Sequence, residues 1–107
     1  MVKIGVIINT NDPEICWNGM RFGLTALVMG HEATVFLMGA GVEIEGIEDP
    51  QYNAAQVVKD FKENGGNFKV CGVCQVSRGL ESGLCPANVM NDAVDLVIDC
   101  DKTVVFG

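Results

Sequence analysis

Hydrophobic residues along the chain fall into short continuous runs separated by segments with helical spacing. The first run, at positions 2–8 (VKIGVII), is mostly β-branched, which predicts a strand covered on both faces. Similar runs occupy positions 33–38 (ATVFLM) and 68–71, and another closes the chain at 103–106. These four segments predict the strands of a buried sheet.

The segments between these runs carry helix signals. Asp12 and Pro13 are suited to the N-cap and first position of a helix. Its apolar stripe comprises Cys16, Met20, Leu24, Leu27 and Val28, and Gly30 ends it. A second helix is predicted after Asn53, which pairs with Gln56 in a capping box. Its apolar face comprises Ala54, Val57, Val58 and Phe61, and Gly65 and Gly66 stop it. A third helix is predicted to run from a cap at Asn91 to Ile98.

Strand–helix alternation with short connections predicts an α/β fold with three layers, in which helices cover both faces of a mainly parallel sheet. Residues 1–107 are long enough for one domain. Residues 42–52 are predicted to be a loop with room for one helical turn. Residues 72–86 are predicted to be irregular.

The charge of the chain narrows the classes of partner. The formal net charge is −7, so a phosphate backbone or an anionic membrane surface would be repelled. No segment approaches the roughly 20 apolar residues that a membrane-spanning helix needs. We therefore expect a cytoplasmic protein, in a compartment where thiols stay reduced. Five cysteines also exclude a complete set of intrachain disulfides.

Candidate chemistry lies where the predicted strands end. Ligands of open parallel sheets bind at the carboxyl ends of the strands. Three such ends can be identified, at residues 9–11, at residues 38–39 and at Cys71. The CxxC motif formed by Cys71 and Cys74 therefore falls on the edge where a functional site is expected.

Two thiols at this spacing come within mutual reach if the chain turns, and Gly72 makes a turn easy. Backbone N–H groups and the guanidinium of Arg78 would stabilise a thiolate. Sulfur transfer, disulfide exchange and metal ligation all require that thiolate. The alternative is that Cys71 and Cys74 are small buried hydrophobes at a strand end.

Other chemistries are less favoured. Cys71, Cys74, Cys85 and Cys100 could in principle ligate zinc, but a second CxxC knuckle is missing. A thioredoxin-type dithiol needs a long helix after the motif, and Gly79 would end that helix after about one turn. Residues 39–41 resemble part of a dinucleotide fingerprint, but nearby glutamates would repel a pyrophosphate.

A cysteine–histidine catalytic pair is also disfavoured. His31 is the only histidine, and it lies in a helix–strand turn at the opposite edge of the predicted sheet from Cys71. Asp12 is better explained as a helix cap than as a catalytic acid.

Four segments in this order resemble the DsrE/DsrF-like family. They are Asn11-Asp12-Pro13-Glu14, Met29-Gly30-His31-Glu32 leading into Val35–Gly39, Cys71-Gly72-x-Cys74 followed by Arg78-Gly79, and Asp101-Lys102-x-Val104-x-Phe106. The resemblance extends over nearly the whole chain. It implies a five-stranded, three-layer fold with an extra short strand near residues 88–90, and assembly into homotrimers or homohexamers.

The resemblance also implies a cytosolic role in sulfur relay, in which a cysteine accepts sulfane sulfur as a persulfide. In relay members the carrier cysteine lies eight residues before the glycine of the Arg-Gly pair, and here that position is Cys71. The resulting hypothesis is a sulfur carrier, a candidate sulfurtransferase. Cys71 holds the persulfide, Arg78 favours the thiolate, and Cys74 assists or resolves.

The expected partners are further copies of the chain and the proteins that donate and accept sulfur. No cofactor and no bound metal are expected. Two alternatives stay open at this point. The first is an assembly module without turnover, and the second is a thiol redox sensor that uses Cys71 and Cys74.

Overall fold

A computed structural model describes residues 1–81 and 84–107. Within those residues, five strands form one parallel sheet. The strands are β1 (Lys3–Ile8), β2 (Glu32–Leu37), β3 (Asn67–Cys71), β4 (Ala87–Asn88) and β5 (Lys102–Phe106). Their order across the sheet is β4-β3-β2-β1-β5, and every pairing is parallel. The predicted α/β class and parallel sheet are confirmed.

Helices connect the strands. They are α1 (Pro13–Val28), α2 (Ala54–Glu63), α3 (Gly72–Val76) and α4 (Met90–Asp99), and a 3₁₀ helix spans Gly39–Gly46. The sheet has a core on each face because alternate strand residues point to opposite sides. Val35 and Leu37 of β2 belong to the core that holds α1 and α2, whereas Phe36 packs with Ala93 and Leu96 of α4.

Helix α1 begins as its sequence predicts, since the Asp12 carboxylate accepts a hydrogen bond from the Ile15 N–H. Four residues of the predicted stripe pack in the core, Cys16, Met20, Leu24 and Leu27, but Val28 is 75% exposed. The buried positions are Cys16, Gly19, Met20, Gly23 and Ala26. A Cβ at Gly19 or Gly23 would press against Ile8 or Phe61, so these glycines let α1 approach the sheet and α2 closely. Close packing therefore shifts the contact line away from Val28.

The starts of the other two long helices are only partly as predicted. Asn53 caps α2 by accepting the Gln56 N–H, but the Gln56 side-chain amide donates to Asp60, so the reciprocal capping box does not form. The predicted cap of α4 at Asn91 is wrong, because Met90 is already helical. The Asp92 carboxylate instead accepts the Val89 N–H. The predicted apolar face of α2 is buried.

Short elements occupy both segments that show no regular pattern of hydrophobic positions. The 3₁₀ helix buries Val42 and Ile44 in the core, which fixes the start of the predicted 42–52 loop. The predicted irregular stretch opens with the five residues of α3. Gly79, at φ +63°, follows that helix closely. No helix in the described parts of the chain is long and apolar enough to cross a membrane.

Candidate functional site

The Cys71–Cys74 pair lies at the carboxyl end of β3. Cys71 is the last residue of that strand and also the N-cap of α3, so Cys74 follows within the first turn of the helix. Cys74 packs against the buried cluster that contains Cys71. The change from strand to helix at Gly72 thus brings both sulfur atoms together.

The two thiols differ in burial. Cys71 is 4% exposed and packs with Phe36, Ala93 and Leu96 in the core on the α4 side of the sheet. Cys74 is only half-buried and contacts both cores. Cys74 is therefore the thiol of the pair that a molecule approaching from solvent meets first.

A backbone donor from another strand end reaches the pair. The N–H of Gly39, which follows β2, donates to Cys74 Sγ over 3.2 Å. Gly39 has φ +54°, and a Cβ there would collide with the side-chain oxygen of Asn9 at the end of β1. The predicted strand ends at residues 9–11, 38–39 and 71 thus lie at one edge of the sheet. The first two of these ends include Asn9 and Gly39, which together position the N–H that donates to Cys74 Sγ.

Opposing effects act on the pKa of Cys74. The hydrogen bond shared with Cys71 raises the pKa of this thiol most, and partial desolvation raises it further. The Gly39 N–H and, more weakly, the charge of Arg78 lower it, but the net direction is upward. Two thiols this close lose their protons in successive steps that belong to the pair.

Arg78 lies beside the pair without donating to its sulfur atoms. Its Nε donates to Glu43 Oε2 at 3.1 Å, and one terminal nitrogen donates to the carbonyl oxygen of Cys74 at 3.2 Å. The guanidinium thus ties the 3₁₀ helix to the backbone of α3. No sequence pattern singles out Glu43, because it lies among several acidic residues in a segment without regular spacing.

A surface cavity of about 380 Å³ opens next to this ion pair. Its polar lining includes Asn11, Glu43, Glu45 and Glu81. Its acidic wall disfavours phosphate-bearing ligands, in line with the net charge of the whole chain.

As at Cys74, the surroundings of the remaining cysteines raise the pKa and favour the neutral thiol. Cys16 is fully buried, donates to the carbonyl oxygen of Thr10 at 3.1 Å, and has its pKa raised to about 11, mainly by burial. Burial also raises the pKa of Cys85 and of Cys100. These three thiols are poorer nucleophiles at neutral pH than an unperturbed cysteine.

The other predicted ligands do not gather around the pair. Cys100 lies against Gly5 near the start of β1, away from the carboxyl edge. His31 precedes β2, and its Nδ1 accepts the N–H of Val2. Within residues 1–81 and 84–107, no three His, Cys, Asp or Glu side chains form a cluster that could hold a metal ion.

Comparison with known proteins gives a consistent result. An uncharacterised protein of Methanocaldococcus jannaschii is 35% identical over 98% of this chain and 100% of its own length. An uncharacterised protein of Methanopyrus kandleri is 33% identical over 87% of this chain and 83% of its own length. The sequence model of the DsrE/DsrF-like family matches residues 2–106. The chain therefore belongs to the DsrE/DsrF-like family.

Proposed function

We propose that this protein is a cytosolic sulfur carrier, which accepts sulfane sulfur as a persulfide on the Cys71–Cys74 pair and passes it to a partner protein. Family membership supports a sulfur-relay-type role. The observation that carries the proposal is the pairing of two thiols at the carboxyl edge of the sheet, where Cys74 is partly open to solvent and accepts the Gly39 N–H.

The chemistry requires a thiolate that attacks the outer sulfur of a persulfide donor. The bond between the two donor sulfurs breaks, and the donor thiolate leaves with the electron pair. A persulfide is itself anionic near neutral pH, so a hydrogen-bond donor at the sulfur helps to hold it. The Gly39 N–H is such a donor for Cys74. This hydrogen bond is stronger when the accepting sulfur is charged than when it is neutral.

Arg78 acts as a positioning residue in this proposal. Its contacts with Glu43 and with the Cys74 carbonyl oxygen hold the first turn of α3 against the 3₁₀ helix. That arrangement keeps the sulfur of Cys74 in line with the N–H of Gly39. Its positive charge also favours an anionic sulfur, to a smaller extent.

The proposal includes partners. Sulfur has to come from a donor protein and go to an acceptor protein, and the carrier is a homotrimer or homohexamer. The assembly is supported by a second apolar face on α4. Its exposed residues are Met90, Val94, Val97 and Ile98, at helical spacing along one side.

Intact-mass measurement tests the carrier function. The reduced protein is incubated without oxygen with one equivalent of glutathione persulfide and then trapped with an alkylating agent. The wild-type chain is expected to take up donor sulfur, seen as an added sulfur atom or as released hydrosulfide. The double variant Cys71→Ser/Cys74→Ser is expected to do neither. Cys85→Ser is the control and should behave as wild type. Equal uptake by the double variant would reject the proposal.

A further inference from the structure

We propose that the two thiols have separate and sequential tasks: Cys74 accepts the sulfane sulfur, and Cys71 resolves the persulfide by forming a Cys71–Cys74 disulfide. This inference rests on the proposed carrier function. It assigns roles within the pair, whereas the family motif alone points to Cys71 as the carrier. If no acceptor takes the sulfur, the outer sulfur of the persulfide then leaves the protein as hydrosulfide.

Access decides which thiol receives the sulfur. Transfer needs the attacking sulfur, the outer sulfur and the departing sulfur of the donor nearly in line, so the attacker must be open on one side. Cys71 is 4% exposed and enclosed by Phe36 and the residues of α4, which leaves a bulky donor no such approach. Cys74 is half-buried and borders strongly exposed neighbours, Val73 and Val76.

Stabilisation of the product points to the same thiol. The Gly39 N–H is directed at Cys74 Sγ, at 3.2 Å. This donor is a fixed backbone group, held by a glycine in the left-handed region next to Asn9. It remains in place when the sulfur changes from thiol to thiolate to persulfide. Cys74 therefore has both an open side, from which a sulfur donor can approach, and a backbone N–H that stabilises negative charge on its sulfur.

Contact between the two thiols gives Cys71 its task. A resolving thiol needs no access to solvent, only access to the sulfur that it attacks. Cys74 packs against the buried cluster that contains Cys71, and the Cys71 thiol is near enough to raise the pKa of Cys74. Residues three apart at the start of a helix also have a Cα spacing that a disulfide tolerates. The buried thiol is therefore within reach of the inner sulfur of a persulfide on Cys74.

The steps balance without any oxidant other than the donor. The Cys74 thiolate attacks the outer sulfur of the donor persulfide, and the donor leaves as a thiolate. The Cys71 thiol then attacks Sγ of Cys74, the Sγ–S bond breaks, and hydrosulfide leaves with the electron pair while the Cys71 proton is released. The two cysteine sulfurs lose two electrons together, and the sulfane sulfur gains two. A dithiol reductant returns the disulfide to two thiols.

Transfer of sulfur to an acceptor competes with disulfide formation by Cys71. An acceptor thiolate that reaches the outer sulfur of Cys74 before Cys71 attacks receives the sulfur and leaves both cysteines reduced. If no acceptor is bound, the pair closes and the sulfur is lost as hydrosulfide. The second thiol would thus prevent a loaded carrier from persisting without a partner.

Single variants separate the two roles. Reduced wild type, Cys71→Ser, Cys71→Ala and Cys74→Ser are each treated anaerobically with one equivalent of glutathione persulfide. Intact mass and released hydrosulfide are followed over time, with Cys100→Ser as a control for cysteine removal. Circular dichroism confirms that each variant is folded, and Cys71→Ala keeps the buried position apolar if serine is not tolerated there.

The expected results differ for each chain. Wild type should release up to one hydrosulfide per chain and lose the mass of two hydrogens, which dithiothreitol restores. Cys71→Ser or Cys71→Ala should keep one extra sulfur atom and release no hydrosulfide. Cys74→Ser should lose uptake.

The inference is overturned if folded Cys74→Ser loads at the wild-type rate, or if wild type retains a stable persulfide with no disulfide. In both cases the carrier proposal stands. If wild type neither gains sulfur nor releases hydrosulfide, the carrier proposal itself fails, and this inference fails with it.

Discussion

At the scale of single residues, the proposed sulfur transfer depends on what surrounds the Cys74 sulfur. The CxxC spacing and its place after a strand were enough to predict a thiol pair at the functional edge. Three features were not predictable: the unequal burial of Cys71 and Cys74, the N–H of Gly39 at the sulfur, and the contact of Arg78 with Glu43. Each depends on a backbone conformation or on a packing partner far away in sequence, and local sequence patterns do not reveal either.

Replacing Gly39 tests the role of its N–H. Gly39→Ala is expected to slow alkylation of Cys74 by iodoacetamide at neutral pH by up to about tenfold, equivalent to about one pKa unit. The reason is that alanine disfavours φ +54° and would collide with Asn9, so the N–H turns away from the sulfur.

Gly46→Ala is the matched control, at the other end of the same 3₁₀ helix, where a Cβ would meet nothing within 4 Å. It should alkylate as wild type does. A folded Gly39→Ala protein whose Cys74 alkylates at the wild-type rate would show that this N–H does not increase the reactivity of Cys74.

At the scale of elements, α1 shows how packing modifies a pattern. Its cap at Asp12 followed from the sequence, because an N-cap hydrogen bond spans only three residues. Most of its predicted apolar stripe also packs on the core, but the exposure of Val28 did not follow from the sequence, since it depends on which neighbours the helix meets. The glycines at 19 and 23 draw α1 inward along a line that leaves Val28 exposed. The cap of α4 was misplaced for a related reason: the helix already begins at Met90, and Asp92 in its first turn accepts the N–H of Val89.

Burial of Cys16 in the α1 interface predicts a pH dependence of stability. The pKa of Cys16 is about 11 in the folded chain, against an ordinary value of 9.0. The folded state therefore retains a proton that the unfolded chain has already lost between these two values. This contribution to the free energy of unfolding is complete below pH 9 and is lost toward pH 11, by about 3 kcal/mol at most.

Denaturant unfolding between neutral pH and pH 11 measures this contribution. Cys16→Ala is expected to be less stable at neutral pH but to decline less steeply above pH 9 than wild type. Met20→Ala removes a neighbouring buried side chain that does not titrate, so it should lower stability by a similar amount at every pH. Parallel curves for wild type and Cys16→Ala would contradict the prediction.

At the scale of the whole molecule, the parallel sheet and its layers followed from the alternation of apolar runs and helical stripes, since such units can bury both faces of a sheet in few ways. Apolar residues make up 49% of the chain. The structure places part of this content on the surface, with Ile98 of α4 72% exposed. A small domain that leaves such residues exposed at helical spacing is suited to self-association.

Changing the exposed α4 face tests assembly. Wild type is expected to have three or six times the 11.4 kDa chain mass by light scattering. Val94→Glu/Ile98→Glu should shift the protein toward the monomer, because burying two carboxylates in an interface is strongly unfavourable. Val28→Glu, at a valine of α1 that is at least as exposed as Val94 and Ile98, should keep the wild-type mass. A wild-type mass near that of one chain at micromolar concentration would contradict the prediction.

Peptide mapping of the loaded protein tests the central claim, that the Cys71–Cys74 pair is where donor sulfur reacts. Cleavage after Lys69 and Arg78 releases peptide 70–78, which holds these two cysteines and no other, whereas Cys85 and Cys100 lie together in peptide 79–102. After anaerobic treatment with glutathione persulfide and alkylation, the account predicts the added sulfur or the new disulfide in peptide 70–78. Added sulfur in peptide 79–102 or on Cys16, with peptide 70–78 recovered as two alkylated thiols, would contradict it.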